Sequence, residues 1–242
     1  MASELASLAD RSFSEREWTS LISGLLLAEE RQDGTTWINP PSATLVSNNK
    51  LMLLLLAARS GVSVPPFSVS TPVRPPLALG RALVTKAISA DERIDDVRYF
   101  STALLPRKDL EALPGARLPT PALLQEHVPP SKELRVFYML GKFLCLALSP
   151  SQEHVDIRHA PRASLMPRVC DLPTELCASL DRLARSLALT YCTFDLITPD
   201  DGDPVLIDMT PNGDWEYFES SSDPVVTDFL ANAIMGHPPR RM

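Results

Sequence analysis

Cysteine is scarce in this chain of 242 residues: Cys145, Cys170, Cys177 and Cys192 are the only four. They show neither CxxC spacing nor a dense framework, which excludes a disulfide-stapled scaffold and a zinc module; they read as small buried apolar groups in a reducing compartment. Glycine is sparse too, with 9 residues and no glycine-rich Walker-type loop, which argues against a P-loop kinase or ATPase. Basic residues do not cluster, and with 23 Lys and Arg against 30 Asp and Glu the formal charge is −7, so no nucleic-acid partner is expected. The most apolar run, Leu51 to Ala58, is far shorter than a bilayer-spanning helix, and MASELASLADR lacks a basic-then-apolar signal pattern. A cytoplasmic protein without a membrane partner is expected. His127, His154, His159 and His237 have no metal-ligand spacing, and no nucleophile has an adjacent base.

What is present is a 45% apolar content, ample for a core of one large domain or two small ones. Proline, at 23 residues, is about twice its ordinary usage. It clusters in Val64 to Pro76 and Pro161 to Pro173, links expected to forbid regular sheet pairing. Ser14 and Glu17 suggest a capping box opening a first helix that runs to about Glu30. A second helix is expected from Asn48 to Gly61, apolar almost all round and hence buried. Arg81 to Ile88 and Pro121 to Val128 read as strands, and Leu134 to Leu148 as a hairpin turning at Gly141-Lys142. Thr174 to Leu189 carries a leucine stripe, and Cys192 to Thr210 forms a second hairpin around TPDDGDP. Asp223, Pro224 and Gly236 punctuate a last helix. The pattern is α+β.

The second hairpin is rich in carboxylates. If its loop centres on Asp201-Gly202, antiparallel pairing sets Asp195 opposite Asp208 and Thr193 opposite Thr210, with Ile207 and Met209 on the other face of their strand. Directly opposed like charges are destabilising unless something neutralises them. Two carboxylates are what Mg²⁺ uses when nucleotide phosphates complete its octahedron, and Asn212 could add an amide oxygen. The plain alternative is a solvated outer face of an ordinary hairpin.

Four cations invite an anion. Lys86 shares a strand face with Val84 and Ile88, so it either meets a phosphate or snorkels to water from an edge. Lys50 sits at a helix start, where the dipole disfavours a cation and welcomes an anion; a merely solvated lysine is the other reading. Arg135, taken as opening a strand, and Arg158, in VDIRHA, either grip a carboxylate or phosphate by a planar fork or form surface ion pairs.

These pieces occur in a telling order: TWINPPSATLVSNNKLMLLLLAARSGVSVPPFSVST, ALVTKAIS, PALLQEHVPPSKELRVFYMLGKFLCLALS, VDIR, YCTFDLI and VLIDMTPNGDWEY. The sequence resembles the ATP-grasp ligases that modify ribosomally made peptides, the microviridin-type or graspetide synthetases, and more distantly the ribosomal-protein glutamate ligases. The resemblance runs from about Trp37 to Met235. It implies an ATP-grasp fold in which two α+β lobes, residues 37–128 and 129–242, enclose ATP, preceded by a helical segment, residues 1–36. Lys50 and Lys86 would hold the phosphates, Gln125, Glu126, His127 and Val128 would form the hinge beside adenine, and Glu133 would lie near the ribose. Arg135 and Arg158 would be the catalytic arginines near the transferred phosphoryl group or the substrate carboxylate. Asp195, Asp208, Thr210 and Asn212 would hold Mg²⁺.

In such enzymes a carboxylate of a peptide or protein substrate attacks the γ-phosphate, and an amine or hydroxyl then attacks the acyl phosphate, giving an amide or ester. Three departures stand out. The family motif after the second metal strand reads glutamate, any residue, asparagine, whereas here Asp208 is a carbon shorter and Thr210 lacks an amide oxygen. The phosphate-covering loop, Ser89 to Val97, has no glycine and is acidic. The N-terminal domain usual in the family is expected to be truncated or missing. These features motivate an alternative function, a catalytically degenerate module that binds a leader peptide or partner protein. The apolar face from Trp18 to Leu26 suggests a homodimer.

Overall fold

The computed structural model describes residues 8–32, 34–71, 82–89, 92–94, 97–99, 102–105, 120–149, 166–200, 202–219 and 223–236. Helix α1 spans Leu8–Glu30, so Ser14 and Glu17 lie inside it and not at its start; Asp10 already supplies the acidic first turn that the helix dipole favours. A short α2 (Pro41–Ser47), unanticipated in the sequence, precedes α3 (Lys50–Arg59). Asn49 caps α3, its side chain accepting from the Met52 N–H at 3.0 Å, and Gly61 supplies the positive φ of 76° just beyond its end. The expectation that this helix is buried all round is corrected: Leu53, Leu54 and Ala57 are buried, but Met52 and Leu55 are 42% and 48% exposed.

Two antiparallel sheets follow. The first joins β1 (Phe67–Ser70), β2 (Leu83–Lys86), β5 (Thr102–Leu105) and β6 (Ala122–Glu126) in the order β1-β6-β2-β5. Between β2 and β5, β3 (Glu92–Ile94) pairs with β4 (Val97–Tyr99), so part of the segment expected to be an acidic loop is strand. The second sheet contains β7 (Lys132–Met139), β8 (Lys142–Leu148), β9 (Arg168–Cys170), β10 (Tyr191–Thr198) and β11 (Val205–Thr210) in the order β11-β10-β7-β8-β9. Helix α4 (Thr174–Ser186) lies between β9 and β10 in sequence, and a 3₁₀ turn at Glu216–Phe218 leads towards α5 (Val225–Ile234). The proline-rich links were expected to forbid pairing, yet β1 and β9 lie within them. Both are edge strands in these sheets, where a residue without a ladder N–H is tolerated.

Period-two alternation gives the second sheet two buried faces. Leu134, Val136, Tyr138, Phe194 and Leu196 pack with Leu53 and Ala57 of α3 and with Leu180 and Leu183 of α4. Phe137, Met139, Leu144 and Leu146 face the opposite way, onto Val226, Phe229 and Leu230 of α5. Each such leucine contributes about 1.5–3 kcal/mol relative to exposure, which is why the sheet holds its register. The N-cap expected from Asp223 is replaced. The Glu219 carboxylate, reaching over from the preceding turn, accepts from the Val226 and Thr227 N–H groups at 2.9 Å each.

Candidate functional site

Antiparallel pairing of β10 with β11 sets Thr193 opposite Thr210, Phe194 opposite Met209 and Asp195 opposite Asp208, the register anticipated from the sequence. Beyond Asp195 the register shifts, and Leu196 pairs with Leu206. The shift leaves Ile207 as an extra residue, which explains why it lines the same cleft as Asp208 and not the opposite face. Its carbonyl accepts from Lys86 Nζ at 2.6 Å, a bond that ties β2 of the first sheet to β11 of the second.

Neither aspartate is left to repel the other. Lys50 Nζ donates to Asp208 Oδ1 and Oδ2 at 2.7 Å each, while the Lys50 N–H bonds the Ile88 carbonyl at 2.9 Å and docks the start of α3 beside β2. Asp195 Oδ1 accepts from the Arg135 guanidinium at 2.6 Å, between directly paired positions of β10 and β7. Arg135 was expected at a strand opening; it lies inside β7, which begins at Lys132. Its guanidinium rests over the Phe137 and Phe218 rings, 5.9 and 5.2 Å from their centroids. Burial alone would raise the Asp208 carboxyl. The Lys50 and Lys86 charges, with the Lys50 and Met209 N–H hydrogen bonds, outweigh it and hold the group below the usual carboxylate value.

These groups line one cleft of about 580 Å³. Lys86, Gln125, Glu126, His127 and Val128 come from the first sheet and its exit, and Glu133, Arg135, Asp195, Asp208, Thr210 and Asn212 from the second sheet and the turn after it. Lys50 reaches the cleft through its bond to Asp208. Arg158 lies outside the described residues. Two donors on the cleft wall have no hydrogen-bond partner among the described residues: Nε2 of Gln125, which is 1% exposed, and Nε of Arg135. Burial holds His127 below the usual imidazole value.

The fold has solved counterparts. The macrocyclase MdnC from Microcystis aeruginosa MRC, bound with the precursor peptide MdnA, superposes with a TM-score of 0.73 at 18% identity, over 97% of this chain and 74% of that one. A RiPP-associated ATP-grasp ligase from Chryseobacterium gregarium, in complex with ADP and a leader and core peptide, gives 0.69 at 16% identity, over 97% and 72%. The ATP-grasp ligase PsnB, complexed with a minimal precursor, Mg and ADP, gives 0.67 at 22% identity, over 92% and 69%. The chain has the ATP-grasp fold. No protein-family model and no curated protein matches its sequence.

Among the described residues no group of three or more His, Cys, Asp or Glu is placed to hold a metal ion. The donor set is two opposed carboxylates with a hydroxyl and an amide beside them, which suits a magnesium ion that takes its remaining oxygens from phosphate and water. Gln125 Nε2, buried in the cleft wall with no partner among the described residues, suits a ligand acceptor. Both a metal and a nucleotide fit.

One residue that braces the cleft from outside its lining was not singled out in the sequence. Asn39 is buried, and its Nδ2 donates to the Tyr191 and Pro211 carbonyls at 2.7 Å each, while its Oδ1 accepts from the Thr190 and Tyr191 N–H groups at 2.9 and 2.8 Å. It joins the start of β10 to the turn that carries Asn212. Tyr191 closes the same turn through a hydroxyl bond to the Gly213 carbonyl at 2.5 Å. A Cβ at Gly213 would lie 2.2 Å from Thr193 Oγ1, so only glycine lets the turn approach the strand. The only sequence signal was an asparagine before two prolines, which also describes an ordinary turn.

Proposed function

We propose that this chain is an ATP- and Mg²⁺-dependent ligase that activates a carboxylate of a peptide or protein as an acyl phosphate and forms an ester or amide bond. One observation carries the reading: two opposed aspartates, each engaged by its own cation, share a cleft with a buried amide nitrogen that has no partner among the described residues. Gln125 Nε2 would donate to the nucleobase beside His127 and Val128, and Glu133 would bond the ribose. Lys50 and Lys86 would neutralise phosphate oxygens, and Asp195, Asp208, Thr210 and Asn212 would hold the metal. Bound magnesium would spread the charge that develops on the transferred phosphoryl group. Arg135, ordered by two aromatic rings, would orient the attacking carboxylate by its fork. MdnC, the Chryseobacterium ligase and PsnB are each seen with a precursor, leader or core peptide, which supports a peptide substrate.

The test is purified protein with ATP, Mg²⁺ and an acidic precursor peptide. ADP release with a product lighter by one water supports intramolecular cyclisation; a gain of a residue mass supports amide ligation to a free amino acid. Tight peptide binding without Mg·ATP binding, by calorimetry, would replace the ligase with a degenerate binding module. A second copy is the partner proposed for α1, where Trp18 and Leu25 are 64% and 63% exposed. Light scattering that returns a monomer mass would remove it.

A further inference from the structure

We propose that Lys50 is the resting occupant of the metal position on Asp208, so that metal and nucleotide enter this cleft as a pair and each binds poorly alone. The inference rests on the nucleotide and metal reading above. Lys50 Nζ stands 2.7 Å from both oxygens of the Asp208 carboxylate, and Oδ1 also accepts from the Met209 N–H at 2.9 Å. A divalent ion needs one of those oxygens at about 2.0–2.1 Å. An ammonium bridging both oxygens bars that approach by contact and by charge. Metal entry on Asp208 therefore requires Lys50 to leave.

A bound polyphosphate would give Lys50 a new partner. Lys50 is the first residue of α3, where the dipole repels a cation and attracts an anion, and its backbone N–H fixes it to Ile88, two residues beyond the end of β2 at Lys86. A polyphosphate beside Lys86 would accept the ammonium released from Asp208, and the vacated carboxylate would accept the metal. Lys86 provides the internal comparison. Its charge also acts on Asp208, yet its Nζ is bonded to the Ile207 carbonyl and does not bridge the carboxylate oxygens. Removing Lys86 lowers the positive charge near the site; removing Lys50 also frees the metal's ligand.

The coupling between metal and nucleotide is reciprocal, so it is measurable from either side. Mn²⁺ alone is titrated by electron paramagnetic resonance into wild type, Lys50→Met and Lys86→Met, and ADP is titrated by calorimetry with and without Mn²⁺. Lys50→Met is expected to bind Mn²⁺ alone ~10-fold more tightly than wild type and to lose most of the Mn²⁺ affinity that ADP adds, within the usual coupling range. Lys86→Met should gain clearly less. Lys50→Gln, a neutral residue that retains a donor, should shift Mn²⁺ affinity in the same direction and guards against a folding defect in the methionine variant. Adding Asp208→Asn to Lys50→Met should erase the gain. Equal Mn²⁺ affinity in wild type and both Lys50 variants, or an equal gain in Lys86→Met, overturns the proposal. Absence of ADP binding in every form would instead remove the nucleotide reading, and the Mn²⁺ comparison would still decide the role of Lys50.

Discussion

Asp195 and Asp208 face each other across β10 and β11, and each is bonded to a different cation, Arg135 at 2.6 Å and Lys50 at 2.7 Å. The strands bring like charges together, and cations from two other elements make the arrangement stable. Asp208→Ala should lower peptide-dependent ADP release by roughly 10²–10³, the cost typical of losing one preorganised charge-stabilising group. It should also lower the unfolding temperature, because Lys50 loses its carboxylate partner. Retention of full turnover would remove Asp208 from the site.

Gln125 separates stability from binding. Its Nε2 is buried without a partner among the described residues, a state that costs about 1–3 kcal/mol when unsatisfied. Gln125→Leu should therefore leave the free protein as stable or more so while weakening ADP binding about tenfold, the worth of one hydrogen bond. Parallel denaturant melts and calorimetry check both directions, and weakening of both together would mean that the amide has a structural partner.

The turn from Pro211 to Gly213 depends on two residues outside the acidic pair. Gly213→Ala should cost about 1–3 kcal/mol by driving a methyl group into Thr193, and pairing it with Thr193→Ala should recover part of that loss. Asn39→Ala should weaken the Mn²⁺-dependent part of ADP binding more than the metal-free part, since the tether it removes leads to Asn212. Urea melts measure the first effect and paired titrations the second.

Alkaline pH tests the buried faces of the second sheet. Burial pushes Tyr191 up to about 12, and burial together with the Asp181 carboxylate at 3.0 Å pushes Tyr138 to about 12. Both phenols are easier to ionise in the unfolded chain, whose ordinary value is 10.0. Their contribution to stability is complete below pH 10 and is lost as pH rises towards 12. Unfolding midpoints should fall across that interval, and Tyr138→Phe with Tyr191→Phe should flatten the fall. A midpoint independent of pH in that range would contradict the burial.

Much of this protein was legible from local rules. Alternation predicted the β7–β8 and β10–β11 hairpins, the leucine stripe predicted α4, and equal residue sums predicted that Asp195 opposes Asp208, because strand pairing is periodic and a turn of known length sets its register. The motif order pointed to the ATP-grasp fold, and most of the residues it singled out, from Lys86 and Gln125 to Asp208 and Asn212, line one cleft. Tertiary structure decided the rest. The bulge that turns Ile207 towards Lys86, the Glu219 cap of α5, the edge strands within the proline-rich links and the Asn39 tether each depend on partners that packing brings together. Above all, the sequence listed Lys50 and Asp208 as separate candidates, one for phosphate and one for metal. Their bond spans 158 positions, and only the packing of α3 against the second sheet placed the Lys50 ammonium on the Asp208 carboxylate.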